Sequence, residues 1–97
     1  MYPGIVVGRV WATRIYETLK DKKLLLVLPT DWNKKPKSQD PIVAVDVVGA
    51  GAGEFVFYVQ AREAAVACGG RTLEDTPPVD AAIVGIIDGV FLDIKEE

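Results

Sequence analysis

Glycine and proline cut this chain into short apolar runs, and that punctuation constrains the fold more than any other feature of the sequence. Ile5 to Arg14 alternates loosely and carries Val, Trp and Thr. "KLLLVL" (Lys23 to Leu28), "IVAVDVV" (Ile42 to Val48) and "EFVFYV" (Glu54 to Val59) are aliphatic, β-branched or aromatic. Val79 to Ile94 gives one long strand or two shorter ones bent at Gly85 or Gly89. Runs of this length and make-up form strands. None approaches the ~20 apolar residues of a membrane-crossing helix. The unbroken run at Lys23 to Leu28 predicts a strand buried on both faces.

The connections are equally legible. Ile15 to Lys22 is polar with mixed charge, and Arg71 to Pro78 is a polar linker. Pro29 to Pro41, with three prolines and three lysines, is a loop too long for a tight hairpin. The alanine-rich stretch Ala61 to Gly70 is the one helical signal, with Gly69 or Gly70 suited to a left-handed C-terminal cap. A helix of about eight residues is unstable alone and must dock on the sheet. At 97 residues the chain is a single domain, residues 1–97. Five strand segments and one helix make it mainly β: a small five-stranded, OB-like β-barrel with one short α-helix. Closure removes the edges an apolar sheet would expose, and glycines such as Gly4 and Gly8 permit bends or close approach of backbone.

Composition then points outward. A chain of this size buries roughly 60–70% of its unfolded surface, yet 49% of its residues are hydrophobic. Some of that surface is expected to meet another copy of the chain. Trp11 is expected in the core or at such an interface, and Cys68 as a small buried hydrophobe. A single cysteine permits no internal disulfide and fits a reducing compartment. The N-terminus lacks the pattern of a signal peptide. A net charge of −3 argues against nucleic acid and anionic membranes as partners. With no histidine, Ser-His and Cys-His catalysis and His-based zinc sites are excluded, and Ser38 is the only serine. No enzyme, cofactor or metal is expected.

Gly49, Gly51 and Gly53 recur at every second position, which looks like a phosphate-cradling loop. Such loops lead into a helix whose free N–H groups hold the anion. This one leads into a strand, and Glu54 stands where a cation would be wanted. Asp46, Asp80 and Asp88 lie in or beside apolar strands. They could form an acid/base pair or a Mg²⁺ site, but aspartates at strand ends more often close turns by accepting backbone N–H bonds. Lys34, Lys35 and Lys37 near Trp32 could contact single-stranded nucleic acid, as an alternative function for a small barrel. A platform for bases would place aromatics and cations along the strands, so a solvated loop tip is expected instead.

Two longer patterns carry a family resemblance. "DVVGAGAGEFVFYV" (Asp46 to Val59) and "PVDAAIVGIIDGV" (Pro78 to Val90) resemble, in order, the two signatures of bacterial microcompartment vertex proteins of the carboxysome and ethanolamine-utilisation type. "GIVVGRVWAT" and "KLLLVLPTD" match that family's opening and second strand, so the likeness spans nearly the whole chain. Phe55 stands where many relatives have Trp, and the loop Asn33 to Asp40 is longer or more basic than usual. The resemblance implies a homopentamer that caps the vertices of a polyhedral shell in the bacterial cytoplasm. Its partners would be itself and the hexameric and pseudohexameric shell proteins. In such a ring Gly49, Ala50 and Gly51 are expected to let the backbone turn tightly where copies crowd around the five-fold axis, the alternative being that the glycines only shape a hairpin within one subunit; Asp46, Gly53, Glu54, Asp80 and Asp88 are expected to be structural.

Overall fold

A computed structural model, which describes residues 1–11, 19, 22–68 and 80–93, resolves the apolar runs into five strands. They are β1 (Tyr2–Val10), β2 (Lys23–Pro29), β3 (Ile42–Asp46), β4 (Phe55–Gln60) and β5 (Ala81–Ile86), with one helix, α1 (Arg62–Ala67), between β4 and β5. The strands close into a barrel in the order β1-β2-β3-β5-β4. All neighbours are antiparallel except β3 and β5, whose parallel pairing at Val45↔Ala82 and Asp46↔Ile83 completes the ring. The expected five-stranded barrel is therefore the observed one.

Side-chain alternation fills its interior. Val6, Leu25, Val27, Ala44, Val56, Tyr58, Ala81 and Ile83 meet inside, joined by Ala50 from a loop. Burial of each Val, Leu or Ile side chain contributes about 1.5–3 kcal/mol. The ring of Tyr58 lies 5.7 Å from that of Tyr2, and burial pushes its phenol pKa up, with Tyr2 adding to the shift. At Gly4 an added Cβ would stand 2.5 Å from Val27 Cγ1 and 3.0 Å from the Leu28 carbonyl, so only glycine fits against β2.

The boundaries differ from expectation in three places. β1 begins at Tyr2 rather than Ile5 and ends at Val10. Pro3 is tolerated because it lies beyond Gly4↔Pro29, the last β1–β2 pair, where no ladder N–H is needed from it. Of the residues expected to continue this strand, Ala12 to Arg14 lie outside the described residues. The last apolar run yields one strand, not two: the β4 register ends at Val56↔Ile86, the Ile87 N–H makes a last bond to the Phe55 carbonyl at 2.8 Å, and Asp88 to Asp93 leave the sheet. Val79 and Ile94 lie outside the described residues. The helix is six residues long and docks Ala64, fully buried, against the barrel. Its expected glycine cap, the linker Arg71 to Pro78, most of the connection Ile15 to Lys22 and the tail after Asp93 lie outside the described residues.

Of the two places expected for Trp11, core or interface, its 88% exposure in the single chain excludes the core. Cys68, expected to be buried, is half-buried, with burial pushing its thiol pKa up.

Candidate functional site: the capped glycine loop

The segment from Asp46 to Glu54 carries β3 across one end of the barrel to β4. Asp46 ends β3 with its carboxylate turned back on the chain that follows. Its Oδ1 accepts the N–H groups of Val48 and Gly49, each at 3.0 Å. At the other end Glu54 Oε1 accepts the Gly51 N–H at 2.6 Å. Gly53 donates to the Val6 carbonyl at 2.7 Å, and Val6 donates to the Glu54 carbonyl at 3.0 Å. Val47 donates to the Ile83 carbonyl, and Glu54 to that of Gly51.

This geometry explains why alternating glycines here hold no phosphate. An anion-binding loop needs free N–H groups converging on one point. Here the N–H groups of Val48, Gly49 and Gly51 are already held by the chain's own carboxylates. Two negative side chains where a phosphate would sit add repulsion.

The glycines have separate tasks. Gly49 and Gly53 adopt φ of +83° and +84°, the left-handed region that side chains rarely enter. Between them the chain turns inward at Ala50, which is fully buried and packs with the barrel core. A Cβ at Gly49 would meet nothing within 4 Å, so within one chain only its backbone conformation restricts it. A Cβ at Gly51 would stand 3.4 Å from the Glu54 carboxylate.

A residue that sequence reasoning did not single out completes the site. Lys23, the first residue of β2, donates from Nζ to the Ala50 carbonyl at 2.6 Å and stands 3.5 Å from Asp46 Oδ2. Lys23 and Asp46 are register partners across β2 and β3. No local spacing signals this, because the two are brought together only by strand pairing. The Lys23 side chain is half exposed but that of Asp46 is buried, so Lys23 and the Val48 and Gly49 N–H groups together offset the desolvation of this carboxylate.

The other aspartates do not join this cluster. Asp80 precedes β5, and its carbonyl accepts the Ala61 N–H at 2.9 Å. Asp88 follows β5 at the edge of an apolar groove. The two therefore stand at opposite ends of one strand. Among the described residues no three His, Cys, Asp or Glu side chains stand together as a metal site would require. In the lysine loop, Asp31 accepts the N–H groups of Asn33 and Lys35, and Lys34 places its ammonium 5.5 Å from the centre of the Phe55 ring.

A family model described as "Ethanolamine utilisation protein EutN/carboxysome" matches residues 1–88, which include the whole of this loop. The chain belongs to the EutN/carboxysome family. It is 39% identical over 94 residues to the bacterial microcompartment shell vertex protein GrpN of Rhodospirillum rubrum, covering 93% of this chain and 96% of that protein. It is 36% identical over 87 residues to the shell vertex protein EutN of Escherichia coli, covering 90% and 86%. Among solved structures, an ethanolamine utilization protein EutN superposes with a TM-score of 0.85 at 35% identity, covering 95% of this chain and 91% of that one. The structure described as the GrpN pentameric microcompartment shell protein gives 0.79 at 36% identity, covering 95% and 99%. In this EutN/carboxysome chain, the first signature is a self-capped loop and the second is β5 with its flanking aspartates.

Proposed function

We propose that this chain is a non-enzymatic structural protein: a homopentamer that caps the vertices of a bacterial microcompartment shell in the bacterial cytoplasm. The observation that carries this reading is whole-length similarity to proteins named as shell vertex proteins, one of them described as pentameric. The surface of the single chain supports it independently. Met1, Val7, Trp11, Val43 and Phe91 are each about half to nearly fully exposed, far more apolar area than a lone domain gains by leaving wet. A five-fold ring covers such area with one repeated head-to-tail contact. Flat layers of hexamers cannot close into a polyhedron without five-fold points. The partners are therefore further copies of this chain and the hexameric and pseudohexameric proteins of the facets.

Within the ring, Gly49, Ala50 and Gly51 line the five-fold axis. The Ala50 methyl faces its own barrel, so neighbours there meet the backbone of Gly49 and Gly51. Support comes from the open space beside Gly49, which one chain leaves unfilled. Recovery of Gly51→Val as an unchanged, intact ring would remove this placement. Binding of single-stranded nucleic acid gains no support: the outward residues of β2 are leucines, and the Lys34 ammonium is engaged with Phe55.

The test is mass in solution by light scattering, with about 52 kDa expected, five times 10.5 kDa. Co-assembly with facet hexamers, viewed by electron microscopy, should give closed shells with this chain and open ones without it. A monomeric mass at every concentration would sink the proposal.

A further inference from the structure

The outside of the barrel carries two apolar patches of different shape. The first is a ridge on β2. Leu25 and Val27 point inward and are buried, while Leu24, Leu26 and Leu28 alternate outward and are only half covered. The sequence predicts a strand buried on both faces, and one chain buries only one of them. Leu26 is paired with Gly8 on one side and Val43 on the other. Its side chain lies against Gly8, where an added Cβ would stand 3.3 Å from Leu26 Cδ1, and Val43 is 47% exposed. No outward position of β2 is charged.

The second patch is a groove of about 690 Å³ on β4 and β5, with Phe57, Ile86, Ile87, Met1 and Trp32 in its walls and Asp88 at its edge. Phe57 and Gly85 are register partners, and a Cβ at Gly85 would overlap the Phe57 ring. The glycine lets the ring lie flat across β5 and form the floor.

Strand order places the patches apart. In the closed order β1-β2-β3-β5-β4, β2 lies across the barrel from the adjoining pair β5 and β4. A two-fold dimer packs one patch against itself. A protomer with a ridge on one side and an unlike groove on the other can associate head to tail, and such a contact closes a ring where its rotation brings the last copy back to the first, and otherwise grows a filament. We propose that the Leu26–Val43 ridge of one copy seats in the Phe57 groove of the next. The partner is a second copy of this chain, because each patch supplies what the other lacks in shape and both are aliphatic or aromatic. This contact rests on the ring proposed above and names the surfaces that build it.

Cross-linking tests it with the full chain. In a Cys68→Ala background, Val43→Cys and Val90→Cys together place one thiol at the ridge and one at the groove, both at exposed positions that leave the core untouched. A short bismaleimide should then give a denaturing-gel ladder reaching five copies, while either single-cysteine chain stays at one. A mass near five chains without a ladder overturns this contact and leaves the ring standing. A mass of one chain at every concentration overturns the ring as well. Leu26→Lys should drop the mass from five chains to one with the circular dichroism of the barrel unchanged, and an intact Leu26→Lys pentamer would also overturn the contact.

Discussion

Two loops of the barrel, the glycine loop after β3 and the lysine loop after β2, use the same device to opposite ends. Asp46 opens the glycine loop by accepting the N–H groups two and three residues ahead, and Asp31 opens the lysine loop by accepting those two and four residues ahead. Beyond that turn they diverge. The glycine loop drops Ala50 into the core and is tied by Lys23, Glu54 and Val6. The lysine loop is pinned by the Thr30↔Pro36 bridge and the Lys37 N–H to the Pro29 carbonyl, and its residues from Trp32 to Lys37 stay exposed. An aspartate cap thus fixes the start of a loop but does not decide whether the loop belongs to the core. That depends on whether a small apolar residue sits where the chain can turn inward.

The comparison can be broken most forcefully at Ala50. Ala50→Leu forces several extra carbons into a filled interior and should cost about 1–3 kcal/mol or more, read by thermal or denaturant unfolding. An apolar side chain at the exposed Gln39 of the lysine loop, Gln39→Leu, should leave the melting temperature nearly unchanged. If Ala50→Leu were as mild, the glycine loop would not be part of the core.

Asp46→Ala should come next, at about 1–2 kcal/mol, since it removes the acceptor of two N–H groups and the partner of Lys23. Within one chain Gly49→Ala should cost about 1–2 kcal/mol through backbone conformation, because no atom of the same chain stands near an added Cβ. Lys34 also has positive φ, at 68°, so Lys34→Gly relieves the same strain while losing the contact with Phe55. Its stability should move little, and opposite signs for the two substitutions would sharpen the contrast.

The smallest effect is expected from pH at Asp31. Its carboxyl lies below the usual range, chiefly because the Lys35 N–H holds the anion, against an opposing desolvation; the Asn33 N–H and the charges of Lys35 and Lys37 add to the lowering. The folded pKa is lower than the unfolded one. The contribution is therefore present above the unfolded value, near pH 4, and fades as pH falls through the folded value. Asp31→Asn should flatten that acid limb slightly, with the amide shifts of Asn33 and Lys35 as the readout.

Much of this was legible in advance. Strand positions followed from apolar runs cut by glycine and proline, and the rejection of a phosphate loop followed from Glu54 and the strand after it. The exceptions share a cause. β1 takes in Pro3 because neighbouring strands make no demand on its missing N–H. The run after Ile87 leaves the sheet because β4 begins at Phe55, whose carbonyl already takes the Ile87 N–H, so nothing further along β4 remains to pair with it. Lys23 escaped notice because 27 residues separate it from the carbonyl it binds.

By itself the sequence determined the strands, the closed mainly β architecture and the identity of the loop that turns on Asp46 and Glu54, because each depends on side-chain periodicity or contacts within a few residues. Only the tertiary structure decided that Ala50 faces inward, that Lys23 latches it, and that the β2 leucines and the Phe57 groove occupy opposite sides of the barrel. Those facts depend on which strands become neighbours, and closing the chain on itself sets that order over distances that local sequence does not encode.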